Sequence, residues 1–264
     1  MREMAGESDS ARYEREREFH DARFAEDTRP ANRFYGAAFD SAGEFLSATI
    51  DSLPRDTHVL DFGCGSGAYV AIGAAQGGRT AAAFDLSPVA VSEARQRAEE
   101  LGVADRIDFH VMNAERLDLP FGSFDLIAGN GILHHLDLRR AYEQLARLLR
   151  PDGRAVFLEP LGHNPIINLY RRRTPEQRTP DEHPLLVDDF ELAREYFEVV
   201  EPNYFGLTSL VTLPFSGARR SGRLVQRLDA VDDAILRRAP RLGRYAWLVA
   251  LDMRNPRRAR RGAS

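Results

Sequence analysis

The sequence contains no lysine: all 36 of its basic residues are arginine. This absence excludes mechanisms that need a lysine side chain, such as a phosphate-binding P-loop, a Schiff base or a Tyr-x-x-x-Lys hydride-transfer site. Cysteine is almost as scarce. The single residue, Cys64, excludes a disulfide within the chain, and we therefore expect a reducing compartment.

Long apolar runs and a strong excess of one charge are also lacking. No run reaches the length of a membrane span, and the charged residues at 1–10 do not resemble a signal peptide, so a cytoplasmic protein is expected. The net charge of -4 gives no reason to expect a nucleic acid as partner. We expect a small-molecule partner, and the sequence leaves open a homo-oligomer.

The informative glycines lie in one stretch, residues 57–70. An apolar run at its start is typical of a buried parallel strand, and residues 68–76 are compatible with a helix. Between them stand three glycines at alternate positions: Gly63, Gly65 and Gly67. A strand, a glycine turn and a helix in this order place backbone N–H groups at the mouth of a sheet, where a nucleotide-like ligand binds.

Strand-like and helix-like segments alternate up to residue 160, which predicts an α/β fold with a parallel sheet. Strands are predicted at 58–61, 80–84, 107–111, 124–128 and 154–158, and helices at 68–76, 89–101 and 138–149. Beyond them we expect a long loop at 161–184, a helix at 187–196 and strands at 198–205 and 245–253. We divide the chain into N-terminal lid helices at 1–50 and a main domain at 51–264, with a cap insertion at 207–242 and a basic tail at 254–264.

The glycines alone do not identify the ligand. Gly63-x-Gly65-x-x-Ala68 also fits the dinucleotide fingerprint, and Asp85 lies where a dinucleotide enzyme places its ribose-binding acid, which keeps an NAD-dependent Rossmann oxidoreductase open. Asp61, two residues before the first glycine, favours a ligand with an ammonium group over an anionic pyrophosphate. Residues 113–115 follow the third strand, where the edge of a nucleobase would be recognised. The fourth strand runs directly into residues 129–136, which contain two adjacent histidines.

In this order the motifs resemble those of class I S-adenosylmethionine-dependent methyltransferases, over roughly residues 55–160. The resemblance implies a Rossmann-like seven-stranded sheet in the order 3-2-1-4-5-7-6, with strand 7 antiparallel, and S-adenosylmethionine as cofactor. It also implies a set of cofactor-binding residues: Asp61, Gly63, Cys64, Gly65, Gly67, Asp85, Leu86, Asn113, Ala114, Glu115 and Asn130. Asn113 stands where many members have Asp, but an amide oxygen can also accept a hydrogen bond from adenine.

Methyl transfer from a sulfonium is an in-line displacement, in which the protein mainly positions the acceptor and removes a proton where one must leave. Candidate general bases cluster after the fourth and fifth strands: His134, His135, Glu159 and His163. Either adjacent histidine has a structural alternative as a packed imidazole. No metal site is predicted, because the histidines show no ligand spacing with carboxylates.

The apolar residues of the cap insertion favour a small or amphiphilic organic acceptor. Residues 159–186 resemble a subgroup of bacterial methyltransferases associated with specialised or glycan metabolism, so a specialised metabolite or a lipid or glycan precursor is expected. The Arg-rich tail keeps an RNA or protein methyltransferase as an alternative, although the acidic total charge opposes it.

Overall fold

The computed structural model describes residues 9–25, 31–175, 179, 181–208 and 222–257, and in them a seven-stranded sheet has the order β3-β2-β1-β4-β5-β7-β6. The strands are β1 (His58–Phe62), β2 (Thr80–Asp85), β3 (Ile107–Val111), β4 (Phe124–Asn130), β5 (Leu149–Pro160), β6 (Phe197–Phe205) and β7 (Leu248–Pro256). Strand β7 is antiparallel to both β5 and β6, whereas the pairings among β1–β5 are parallel. The predicted fold is confirmed.

Helices cover both faces of this sheet. They are α1 (Asp9–Ala25), α2 (Ala31–Asp51), α3 (Tyr69–Gln76), α4 (Pro88–Glu100), α5 (Leu138–Leu148), α6 (Pro165–Arg173), α7 (Val187–Tyr196) and α8 (Gly222–Arg238). Successive strand residues point to opposite faces. Val59 therefore enters a core formed with α2, α3 and α4, whereas Leu60 enters a second core with α5 and α7. None of the helices described is long and apolar enough to cross a membrane.

The predicted long loop at 161–184 is wrong in its first half, where the chain forms α6. Asn164 caps this helix: its side-chain oxygen accepts the N–H groups of Ile166 and Ile167 at 3.0 and 3.2 Å. Pro165 occupies the first helical position, where its fixed φ suits the helix and its missing N–H costs nothing. The two signals together outweigh the polar composition on which the loop prediction rested.

The last strand also differs from its prediction. Residues 240–245 form a 3₁₀ helix, and β7 begins only at Leu248 and runs to Pro256. Arg254 therefore pairs within the sheet, opposite Arg154 of β5, instead of starting the basic tail. Residues 258–264 of that tail lie outside the described residues.

Helices α1 and α2 lie in the stretch that is predicted as a lid, and α8 lies in the stretch that is predicted as a cap. Helix α8 forms the described part of the insertion, and residues 209–221 lie outside the described residues. Buried Asp232 of α8 accepts the N–H groups of Leu207 and Thr208, both at 2.9 Å, and Asp229 accepts the hydroxyl of Ser41 on α2 at 2.6 Å. The division of the chain into these units stays a prediction.

Candidate active site

The glycine loop between β1 and α3 has a backbone that side chains would not tolerate. Gly63 and Gly65 lie in the left-handed region, with φ of 74° and 52°. A Cβ at Gly63 would lie 2.8 Å from Cγ1 of Ile132, in the segment after β4. The loop is therefore packed closely between the end of β1 and that segment.

Asp85, at the end of β2, holds the glycine loop from its other side. One carboxylate oxygen accepts the N–H of Gly65 at 2.9 Å, and the other accepts the N–H of Ser87 at 3.0 Å. The N–H of Cys64 donates to the carbonyl of Phe84 at 2.8 Å, which ties the loop to β2. Asp85 stays partly exposed beside the glycines, where a ribose-binding carboxylate is predicted.

Asp61, the predicted partner of an ammonium group, is buried, with 3% of its surface exposed. It accepts the N–H of Ala71 at 3.0 Å and thereby caps the first turn of α3, whose own N-cap residue, Ala68, makes no side-chain cap. Burial, with a smaller contribution from the charge of Asp85, raises the pKa of Asp61 to about 7, although hydrogen bonds from Ala71 and Val70 oppose the shift. Burial also raises the pKa of the Cys64 thiol, so this cysteine is not an activated nucleophile.

The segment after β3, where the adenine edge is predicted, forms a tight turn. The side-chain oxygen of Asn113 accepts the N–H of Glu115 at 2.8 Å, and Ala114 is buried. Asn113 thus uses its amide oxygen to close a turn. Leu86 is partly exposed in the neighbouring segment after β2, so the two segments predicted to enclose adenine follow adjacent strands.

Glu115 has a role that the sequence did not indicate. Its carboxylate accepts two hydrogen bonds from Arg12, at 2.6 and 2.7 Å, and one from the hydroxyl of Tyr13 at 2.8 Å. It also accepts the N–H of Asp137 at 2.9 Å. Because Arg12 and Tyr13 belong to α1, the buried acid anchors this helix to the sheet. The geometry favours this structural role over the predicted cofactor contact.

The segment after β4 is held by Glu159 at the end of β5. Glu159 is fully buried, and one of its oxygens accepts the N–H groups of Ile132 and Leu133 at 2.9 and 2.8 Å. The other lies 2.6 Å from Nδ1 of His134. The prediction that Glu159 faces the substrate as a general base is corrected, because its oxygens point into the protein and are already bound. Asn130 is exposed at the end of β4.

The remaining candidate bases fall into two groups. His134 and His135 lie side by side, with ring centroids 4.2 Å apart. Burial and the neighbouring His135 lower the pKa of His134, although Glu159 opposes the shift. The lowered pKa favours a neutral imidazole. His163 is bound elsewhere: its Nε2 accepts the N–H of Val187 at 3.1 Å, at the start of α7.

Helix α1 brings side chains to the site that sequence reasoning missed. Glu16 lies 3.2 Å from Nδ1 of His135 and 3.5 Å from Nε2 of His20, and Asp21 accepts the hydroxyl of Ser87. Burial alone would raise the pKa of Glu16, but His135 and His20 outweigh it and hold that pKa below its usual range. For His135, burial would lower the pKa, and Glu16 reverses the effect and raises it. The available signal was the spacing of Glu16 and His20, one helical turn apart on the same face.

Comparison with known proteins identifies the family of the central region. Residues 59–153 match the family described as "Methyltransferase domain". This region contains the glycine loop, Asp85, Glu115 and the segment after β4. The match favours S-adenosylmethionine over a dinucleotide, the two ligands that the glycines left open.

Two curated relatives show how the similarity is distributed. Ribosomal protein L11 methyltransferase of Haemophilus influenzae is 31% identical over 99 residues, which are 38% of this chain and 32% of the relative. The 27-O-demethylrifamycin SV methyltransferase of Amycolatopsis mediterranei is 35% identical over 97 residues, or 36% of each chain. The chain thus spans about a third of the length of these relatives, and the two are named for different acceptors.

A solved structure extends the likeness of fold to most of the chain. It is geranyl diphosphate C-methyltransferase from Streptomyces coelicolor, in complex with Mg²⁺, geranyl diphosphate and S-adenosylhomocysteine. It superimposes with a TM-score of 0.56 over 82% of this chain and 79% of that chain, at 15% identity. Residues 59–153 match the methyltransferase-domain family, and the sheet order and the glycine-loop geometry are those expected of its class I S-adenosylmethionine-dependent members.

Proposed function

We propose that this protein transfers the methyl group of S-adenosylmethionine to a small or amphiphilic organic acceptor. The acceptor would bind between the carboxyl edge of the sheet and helix α1. The observation that carries this proposal is the path of α1, which contacts the segments that follow β2, β3 and β4 at that edge.

The cofactor half of the proposal rests on the loops after β1, β2 and β3. Asp85 offers a partly exposed carboxylate that can accept both ribose hydroxyls, and the glycines beside it carry no side chain that would hold the cofactor away from the backbone. Leu86 and the turn at 113–115 would enclose adenine. Asp61 would lie nearest the methionine ammonium group, whose positive charge would favour the ionised carboxylate.

The acceptor half rests on the contacts of α1. The helix reaches the segment after β2 through Asp21, the one after β3 through Arg12 and Tyr13, and the one after β4 through Glu16. A helix fixed across the edge at three points restricts the approach of a folded macromolecule. We therefore expect a small molecule as the acceptor.

His134 is the best candidate for removing a proton from the acceptor. Glu159 fixes its Nδ1, so that its Nε2 faces away from the core of the sheet, toward Glu182 at 4.0 Å. Methylation of a nucleophile that is already deprotonated would need only the positioning supplied by the site.

A protein acceptor is the second candidate, because one relative is a ribosomal protein methyltransferase. That similarity covers only 38% of this chain. The distinction between the two acceptor classes therefore depends on the path of α1.

The cofactor assignment is tested by calorimetry with S-adenosylhomocysteine. We expect Asp85→Ala to weaken binding about 10- to 100-fold, because hydrogen bonds to a charged group contribute about 1.5–3 kcal/mol. Asp108→Ala, at an exposed position of β3, is the matched control and should bind normally. Unchanged affinity of Asp85→Ala, or binding of NADH in preference to S-adenosylhomocysteine, would contradict the proposal.

The acceptor class is tested by incubating the protein with methyl-labelled S-adenosylmethionine and a bacterial extract. The extract is then separated into small-molecule, RNA and protein fractions. We expect label in the small-molecule fraction with the wild type and not with Asp85→Ala. Label confined to protein or RNA would refute the small-acceptor proposal while leaving the cofactor assignment intact.

A further inference from the structure

Helix α1 and the segment after β4 together bring three metal-binding groups to one point. Glu16 and His20 lie one turn apart on α1, and His135 faces them from the other side. One oxygen of Glu16 lies 3.2 Å from Nδ1 of His135 and 3.5 Å from Nε2 of His20. One ligand atom from each of the three residues lies within 4.8 Å of the others.

Buried atoms of Glu16 and His135 lack the hydrogen bonds that burial normally requires. Glu16 is 6% exposed, yet neither of its carboxylate oxygens has a hydrogen bond of acceptable geometry. The same holds for Nδ1 of His135, which faces Glu16. A buried polar atom without such a bond is costly, and a missing ion is one of the established explanations.

We propose that Glu16, His20 and His135 bind one divalent first-row transition ion, of which Zn²⁺ is the representative. Two imidazoles and a carboxylate are an established ligand set for such ions. Bonds of about 2.0–2.2 Å in tetrahedral geometry place neighbouring ligand atoms about 3.3 Å apart. The observed separations of 3.2 and 3.5 Å agree with this spacing.

The ion would join two parts of the chain that are more than a hundred residues apart. It would bind α1 through two residues and the segment after β4 through one, and so hold the helix against the carboxyl edge. Three protein ligands leave a fourth tetrahedral position open, as in catalytic rather than structural zinc sites. His134 and Glu182 also lie close to His135, with ligand atoms of the three residues within 4.8 Å of one another.

Mg²⁺ does not suit this ligand set. It prefers oxygen ligands in octahedral geometry and retains several waters, whereas two of the three groups here are imidazoles. The expected selectivity is therefore Zn²⁺ or Co²⁺ over Mg²⁺.

The test is calorimetry with Zn²⁺ on the full chain, without an affinity tag and after dialysis against EDTA. We expect one Zn²⁺ per chain, and at least about tenfold weaker binding in Glu16→Gln and in His20→Ala, since losing even an outer-shell partner costs 10–100-fold. His110→Ala, which removes an imidazole from β3 outside the cluster, is the matched control and should bind normally. Co²⁺ in place of Zn²⁺ should give visible absorption that His20→Ala abolishes.

Neither measurement uses S-adenosylmethionine or a methyl acceptor, so the outcome is independent of the proposed function. Circular dichroism before each titration selects variants that fold, and Glu16→Gln and His20→Ala report separately on different ligands. Absence of saturable Zn²⁺ binding would overturn the proposal and leave Glu16 as an ion-pair partner of the two histidines. Equal affinity of the wild type and both variants, or Mg²⁺ binding as tight as that of Zn²⁺, would overturn the ligand assignment.

Discussion

We expect the largest loss of stability from substitution of Glu159, because its fully buried carboxylate holds the segment after β4. Replacing it with alanine leaves the N–H groups of Ile132 and Leu133 and Nδ1 of His134 without their acceptor. A buried donor that loses its partner costs about 1–3 kcal/mol, and losing one side of a buried charged network costs about 3–5 kcal/mol in total. We take about 4 kcal/mol as the expected loss for Glu159→Ala.

For a chain of this size, about 4 kcal/mol corresponds to a fall in Tm of roughly 8–16 °C. Differential scanning calorimetry would measure it, together with denaturant unfolding at 25 °C. Glu159→Gln should cost less, because the amide oxygen can still accept both backbone N–H groups. Its NH₂ group, however, can only donate to Nδ1 of His134 and so fixes the tautomer with hydrogen on Nε2. NMR of the imidazole would detect that change of tautomer.

Glu143→Ala is the control for this series. Glu143 is exposed on α5, where substitution should change the unfolding free energy by no more than about 0.5 kcal/mol. If Glu159→Ala destabilised the protein by less than about 1 kcal/mol, the carboxylate would not be the main support of the segment after β4. The interpretation of Glu159 as a positioning residue would then fail.

Two further predictions concern Asp61 and Glu115. Burial raises the pKa of Asp61 from 3.8 to about 7. Between these two pH values the folded protein keeps a proton that the unfolded chain has lost, so the free energy of unfolding falls as the pH rises. Between pH 5 and pH 7 the cofactor-free wild type should lose about 2–3 kcal/mol relative to Asp61→Asn; parallel unfolding curves at the two pH values would contradict the assignment. Glu115→Ala removes the anchor of α1, so we expect hydrogen exchange in residues 9–25 to accelerate at least about tenfold while the sheet stays protected. Glu195→Ala, which breaks the exposed pair with Arg139, should leave the exchange of α1 unchanged; equal protection of α1 in both variants would mean that Glu115 does not anchor it.

The sheet could be predicted because its signals are local. Strand β3 begins and ends at Ile107 and Val111, as the alternation of apolar and polar residues predicts, and α7 spans residues 187–196 as expected. Ser87 and Pro88 mark the start of α4 because a hydroxyl cap and a fixed φ act within one turn. The same kind of signal stands at Asn164 and Pro165 at the start of α6, within a polar segment whose composition predicts a loop.

The partners of buried carboxylates could not be predicted in this way. Glu159 lies at a strand end, where a catalytic base and a structural acceptor look alike in sequence. Only the register of β4 and β5 reveals that the carboxylate lies beside the backbone N–H groups of the next segment. Glu115 and Arg12 are more than a hundred residues apart, and no local pattern connects them.

The sequence by itself therefore determined the α/β fold, the strand order implied by its motifs and the type of cofactor site, because spacing along one strand–loop–helix unit sets the geometry of that unit. Tertiary structure alone decided what each acid does. In the folded protein Asp61 caps the first turn of α3, Glu115 anchors α1, and Glu159 holds the segment after β4. Tertiary structure also brought Glu16 and His20 to His135. A side chain's role depends on the donors and charges within a few ångströms of it, and packing, not position in the chain, brings those groups together.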